Sequence, residues 1–223
     1  RAQLYSNLYY GRIGGIISIQ NSYGNEFVEV TLIEALKHES IQIRKNAAIA
    51  IGELHISAAQ GDVIKLLNDD DDAVRIRAIS TLSKIGDSSA TASLIKCLDD
   101  NNNEIIEAAI IALRNLGGEN ATDSLVKLLE NVDTNIKEQA VTSLAEINNT
   151  KAKIYSNLYL GKINETIILG PSSEELLIEA LNSNNELIKL NAAVVLANMD
   201  WISEDPEVSE EYIELLTNSS ISE

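Results

Sequence analysis

The feature that most restricts this chain is a spacing of 31 residues. Leu36, Leu67, Leu98 and Leu129 stand that far apart, as do Leu32, Val63, Leu94 and Leu125, and Ile33, Ile64, Ile95 and Val126. A second block keeps the same step: Ile43, Val74, Ile105, Ile136; Ala47, Ala78, Ala109, Ala140; Ile51, Leu82, Leu113, Leu144; and Leu54, Ile85, Leu116, Ile147. After a longer interval the pattern returns at Leu177, Ile178, Leu181, Ile188, Ala192, Leu196 and Met199. Self-similarity at such a period is the mark of a repeat architecture, in which each unit covers its neighbour's apolar face.

Within a unit the first block is apolar at i, i+1 and i+4, and the second at i, i+4, i+8 and i+11. Both spacings put the apolar residues on one side of a helix. Each unit therefore reads as a helix pair, A then B, and the fold class as all-α: a right-handed α-solenoid of antiparallel helix pairs. The units fall at about 28–57, 58–88, 89–119, 120–150 and 173–203, with a partial one at 206–223, in one array over 1–223. Ser40, Asp71, Asn102, Asp133 and Asn185 recur between the helices and can accept from the free N–H groups that open helix B, so they read as N-caps. The small alanine in helix B lets neighbouring helices approach closely. Low aromatic content (4%), two Pro and eleven Gly agree with helices. Residues 14–27, with Gly14, Gly15 and Gly24 and few charges, read as a loop.

The second helix carries Val74-Arg75-Ile76-Arg77-Ala78 through Ile85-Gly86, and Ile43-Arg44-Lys45-Asn46-Ala47-Ala48. These residues resemble the HEAT repeat family, and the 31-residue length is similar to the HEAT-like units named after phycobilisome lyases. The family's Arg stands at Arg44 and Arg75, becomes Lys at Lys137 and Lys189, and is replaced by Ile106, so an Asp–Arg ladder is expected to break at the third unit. A longer duplication overlies the short one. Leu4-Tyr5-Ser6-Asn7-Leu8-Tyr9-Tyr10-Gly11-Arg12-Ile13 recurs as Ile154-Tyr155-Ser156-Asn157-Leu158-Tyr159-Leu160-Gly161-Lys162-Ile163. It marks Tyr-bearing helices at about 2–13 and 152–163, and a super-repeat from which the chain reads as an excerpt of a longer array.

The resemblance places the B helices on the concave side. The residues between the apolar positions of helix B are then candidates for partner binding: Lys45, Asn46, Ile49 and Glu53; Ile76, Arg77, Ser80 and Lys84; Glu107 and Ile111; Glu138, Gln139, Thr142 and Glu146; and Val194. The same residues can serve equally as the packing edge of adjacent B helices. Tyr5 and Tyr9, and Tyr155 and Tyr159, are four apart and share a helix face. They are either bulky fillers or an aromatic patch for binding. Trp201 is expected to pack under the loop before Pro206.

Charge and composition limit the function. The chain has 34 acidic and 17 basic side chains, for a net −17, with eight of the acids between Asp200 and Glu223. Phosphate binding needs Lys and Arg, so nucleic acid is not an expected partner, and the excess of acid either suits a basic protein partner or serves only to keep the chain soluble. No apolar run is long enough to span a membrane. One Cys excludes an internal disulfide, and together with two His it leaves little for a metal site. There is no Gly-rich phosphate loop and no G-x-S-x-G. Cys97 aligns with Leu66 and Leu128 and reads as buried filler. Iron-dependent hydroxylases of HEAT type use His-Glu pairs in both halves; here only His38-Glu39 occurs, in a turn. The expectation is a non-enzymatic, cytoplasmic scaffold or adaptor that binds a protein on its concave helix-B face and needs no cofactor. The alternative implied by the resemblance is a phycobilin lyase, or a lyase-like chaperone, acting on a linear tetrapyrrole and a phycobiliprotein.

Overall fold

A computed structural model describes residues 1–131 and 133–199. Trp201, the acidic segment from Asp200 and the partial unit expected at 206–223 lie outside these residues. The described chain is all-α, and it divides into two compact units, Arg1–Ala121 and a second that begins at Thr122.

The first unit contains α1 (Ala2–Tyr9), α2 (Ile13–Tyr23), α3 (Asn25–Ala35), α4 (Ile41–Glu53), α5 (Gln60–Lys65), α6 (Asp72–Ile85), α7 (Thr91–Lys96) and α8 (Asn103–Leu116). The boundary falls within α9 (Glu119–Leu128). The second unit continues with α10 (Thr134–Glu146), α11 (Thr150–Tyr159), α12 (Ile163–Ile167), α13 (Glu174–Leu181) and α14 (Glu186–Asn198).

The periodic residues explain the packing. Leu32, Val63, Leu94 and Leu125 are buried, as are Ile43, Val74, Ile105, Ile136 and Ile188. Ala47, Ala78, Ala109, Ala140 and Ala192 are completely enclosed. A larger side chain at such a point would overpack the site, because interiors are filled to near crystal density. α3 packs on α4, α5 on α6, α7 on α8 and α13 on α14, while α4, α6 and α8 lie side by side. Ile33, Ile64, Ile95, Val126 and Ile178 are half-buried, which places them at the edge of the apolar face.

Each second helix starts from the same turn. The side chains of Asp71, Asn102, Asp133 and Asn185 cap α6, α8, α10 and α14 by accepting backbone N–H groups of their first turns. Ser40 departs from this expectation, for its side chain makes no cap bond. All five turns share another bond. The cap residue's own N–H donates to a side chain two residues earlier: His38 Nδ1 (3.0 Å), Asp69 Oδ1 (3.0 Å), Asp100 Oδ1 (2.9 Å), Asn131 Oδ1 (2.8 Å) and Ser183 Oγ (3.1 Å). At Ser40 this bond to His38 is the one that remains.

Arginines lock the first two turns. Arg44 donates to both carboxylate oxygens of Asp69, at 2.7 and 2.8 Å, and to the carbonyls of His38 and Glu39. Arg75 repeats this one unit on. It donates to the Asp69 carbonyl at 2.9 Å and faces Asp100 at 3.7 Å. The next position is Ile106, which is buried, so the ladder ends there as expected. In the second unit Glu130 does comparable work, accepting from Ser183 Oγ and from both nitrogens of Asn184.

The segment 14–27 is not a loop. α2 covers Ile13–Tyr23 and buries Ile16 and Ile19, three apart. Gly15 is there because the chain passes close to another side chain. A β-carbon at that point would lie 2.6 Å from Asn7 Nδ2.

Burial alone would raise the Asp69 carboxyl, but the Arg44 hydrogen bond and the Asp71 N–H outweigh it and hold it below its ordinary value of 3.8. A depressed carboxyl stabilises the fold above its unfolded value, and that contribution disappears as pH falls through the folded value. Urea unfolding should therefore show stability falling below pH 3.8. Asp69→Asn should cost about 3 kcal/mol at neutral pH, since it leaves Arg44 without its ion partner, and should flatten the acid limb.

Candidate functional site

The helix-B face of the first unit is built on α4, α6 and α8. Thr81 Oγ1 donates to the Ala48 carbonyl at 2.8 Å, which fixes α6 against α4 within the core. Nearer the surface Lys84 bonds Glu53 and lowers that carboxyl's pKa, and Asn115 Nδ2 donates to Ser83 Oγ at 3.0 Å. Between these ties Lys45, Ile49, Ile76, Ser80 and Glu107 are half-buried, and Arg77, Lys84, Glu53 and Ile111 are exposed. Ile111 keeps 45% of its surface in water although Ala109, Ile110 and Ala112 beside it are enclosed.

In the second unit Glu138, Thr142 and Glu146 on α10 are exposed, while Gln139 on α10 and Val194 on α14 are half-buried. Thr142 Oγ1 turns back onto the Glu138 carbonyl at 2.7 Å. α11 packs against both α10 and α14. The candidates on these two helices therefore belong to surfaces between which a Tyr-bearing helix is inserted.

Asn46 is placed differently from its neighbours in the candidate set. It is buried, and its Nδ2 donates to the Leu8 carbonyl at the end of α1. Asn191 does the same to the Leu158 carbonyl at the end of α11, at 2.7 Å. Both acceptors sit in the duplicated motif, whose helix ends match bond for bond. Arg12 N–H reaches the Asn7 carbonyl and Gly11 N–H the Leu8 carbonyl; Lys162 reaches Asn157 and Gly161 reaches Leu158. This pair of bonds is the Schellman stop, which needs a left-handed residue at its turn. Gly11 (φ +65°) and Gly161 (φ +68°) supply it. The duplicated sequence thus encodes a helix stop pinned by an asparagine from the following second helix.

The tyrosines occupy unlike settings. Tyr9 is exposed and stacks edge-on against Tyr10, with ring centres 5.2 Å apart, and Tyr5 lies 5.6 Å from the His38 ring. Tyr155 is buried, and burial together with the Glu179 carboxylate raises its hydroxyl pKa. Tyr159 is half-buried. Cys97 is buried at the turn after α7, where burial pushes its thiol up to about 11, so it is a poor nucleophile at neutral pH. Among the described residues no group of three or more His, Cys, Asp or Glu side chains is arranged to hold a metal ion, and no helix is long and apolar enough to cross a membrane.

Residues 29–114 match the family model of HEAT repeats, and residues 106–131 match that of the PBS lyase HEAT-like repeat. No curated protein sequence matches the chain. Among solved structures, the complex of CpcE and CpcF of phycocyanin lyase from Nostoc sp. PCC7120 is similar at 19% identity, over 88% of this chain and 96% of that one, with a TM-score of 0.48. The archaeal HEAT-like repeats protein from Thermococcus onnurineus NA1 is similar at 14% identity, over 99% and 98%, with a TM-score of 0.49. A designed armadillo repeat protein in complex with the peptide (KR)4 is similar at 20% identity, over 87% and 90%, with a TM-score of 0.47.

Asn46→Ala should destabilise the chain by about 1 kcal/mol, the usual worth of a buried hydrogen bond. Lys45→Ala, next to it, should leave the melting temperature unchanged. Equal melting of the two variants would show that the asparagine does not pin α1.

Proposed function

This chain belongs to the HEAT-repeat family, with units of the phycobilisome-lyase type, and on that premise we propose that it is a non-enzymatic scaffold or adaptor holding a protein partner along its helix-B face. One observation carries the reading. In the first unit Ile49, Ser80 and Ile111 on α4, α6 and α8 keep accessible surface while their chain neighbours are buried, and in the second unit Thr142 on α10 and Val194 on α14 each do the same. An exposed isoleucine on a face that also carries the exposed Glu53, Arg77 and Lys84 has the form of an apolar anchor with polar groups at its rim. The exposed Glu138 and Glu146, within a chain of net −17, suit a basic segment of that partner.

Ile49→Asp, Ile111→Asp and Val194→Asp test this directly. Each should weaken recovery of bound partners in pull-downs from native extract by about 2 kcal/mol or more in affinity, as for an interface hot spot. Circular dichroism should show an unchanged helical fold. Unchanged recovery of every partner would remove this face from the proposal.

The match of residues 106–131 to the PBS lyase unit favours a second reading, a phycobilin lyase or lyase-like chaperone with a linear tetrapyrrole as its substrate. Adding phycocyanobilin and recording visible absorbance tests it. A bound bilin should shift the spectrum, and a spectrum identical to that of free bilin would end this reading.

A further inference from the structure

The helix-B face of the first unit carries two cations that the register of its own helices leaves unmatched. The step of 31 residues sets which side chains of α4, α6 and α8 stand opposite one another. It brings Lys84 against Glu53, and these two bond. Toward the start of the same helices it brings Lys45 against Ile76, and Arg77 between Asn46 and Ala108. No carboxylate faces either cation there, and the Asn46 amide is already committed to the Leu8 carbonyl. Among the described residues the side chains of Lys45 and Arg77 form no ion pair and no hydrogen bond. The turn arginines are used otherwise, for Arg44 meets Asp69 and Arg75 meets Asp72. With 34 acids to 17 bases in the chain, two cations left without an acid on one face call for a reason.

Both lie beside the accessible stripe. Lys45 is four residues before Ile49 and Arg77 three before Ser80, spacings that share a helix face. Lys45 is half-buried and Arg77 exposed. Ser80 is small, so the surface between Ile49 and Ile111 holds little bulk. Glu107, four residues before Ile111, confines the unmatched positive charge to α4 and α6.

From this arrangement we infer that the face of α4, α6 and α8 takes an extended acidic segment of a partner protein, with apolar side chains on Ile49 and Ile111 and carboxylates on Lys45 and Arg77. The inference rests on the scaffold reading and adds the chemistry of the partner at the first unit. The basic segment suited to Glu138 and Glu146 concerns the second unit alone. Packed helices lie about 8–10 Å apart, so α4 and α8 are separated by about 20 Å, which about six steps of extended chain at ~3.3 Å each can cross. Alternate side chains of such a segment point to the same side, so a short stretch can offer both its apolar and its acidic groups to the face. Carboxylates would gain charge-assisted bonds from Lys45 and Arg77, whereas a basic segment would meet two like charges.

The probe is the peptide LSESESL, acetylated and amidated at its ends, titrated into the full chain while the isoleucine methyl signals are followed by NMR. Extended, it puts two leucines and two glutamates on one side. Saturable shifts of the Ile49 and Ile111 signals are expected, with LSKSKSL binding about tenfold more weakly. Arg77→Glu should weaken LSESESL about tenfold and bring LSKSKSL to comparable strength. Arg77 is exposed, so circular dichroism should show the helices unchanged. Lys96→Glu alters the net charge by the same amount on α7 and should leave the binding of both peptides as it was. Equal binding of the two peptides, indifference to Arg77→Glu, or no shift at these methyl groups would overturn the inference. Shifts on concentrating the chain alone would give the face to a second copy and overturn it as well. Each of these outcomes leaves the scaffold reading standing, because that reading falls only when the aspartate substitutions on the stripe leave partner recovery unchanged.

Discussion

Among the described residues the helix pairs cannot bury their apolar residues by themselves, and the rest of the structure follows from that. α4 buries Ile43, Asn46, Ala47, Ala48, Ala50, Ile51 and Gly52, and α8 buries Ile105, Ile106, Ala109, Ile110, Ala112 and Leu113. Those positions occupy more of the helix circumference than one partner helix can cover. Each second helix must therefore lie against neighbours on several sides, and the enclosed alanines keep those approaches close. Stability in such a stack is a sum over adjacent contacts. The Arg44–Asp69 pair adds a polar tie at the turns, where the apolar contacts thin out.

Part of the acidity that dominates the composition is used locally. Asp71 and Asp133 cap helices, where a carboxylate also suits the positive end of the dipole. Asp69 and Asp100 hold the turns that lead into them, and Asp69 at the same time receives Arg44. A net charge of −17 thus partly reflects the demands of repeated helix starts.

The helices and their buried faces were legible because burial repeats at a fixed interval, and the caps because few residue types can fill them. The acceptors two residues before each cap were harder to see. His38, Asp69, Asp100, Asn131 and Ser183 share a function but not a residue type, so no column of like residues reveals them. Gly14 and Gly15 read as a loop since glycine usually marks one; at Gly15 it marks close contact inside a helix pair. Asn46 reads as a face residue by its spacing alone. Its bond to Leu8 becomes visible only when the duplication is laid over the short repeat. The accessible stripe was legible as a rhythm, but the insertion of α11 beside α10 and α14 was not, because rhythm does not say which helices become neighbours.

The asparagine-pinned helix stop also separates what is fixed in this architecture from what is free. Leu8 and Leu158 lie 150 residues apart, whereas Asn46 and Asn191 lie 145 apart, so the two anchored cassettes differ in length by five residues. The same hydrogen bond closes both. The difference is taken up between the anchors, where the eleven residues of α2 correspond to the five of α12 and the stretch after α12 is one residue longer. Insertions and deletions have therefore a natural place in this chain. Material can be gained or lost just after the glycine stop while the flanking helix pairs keep their register.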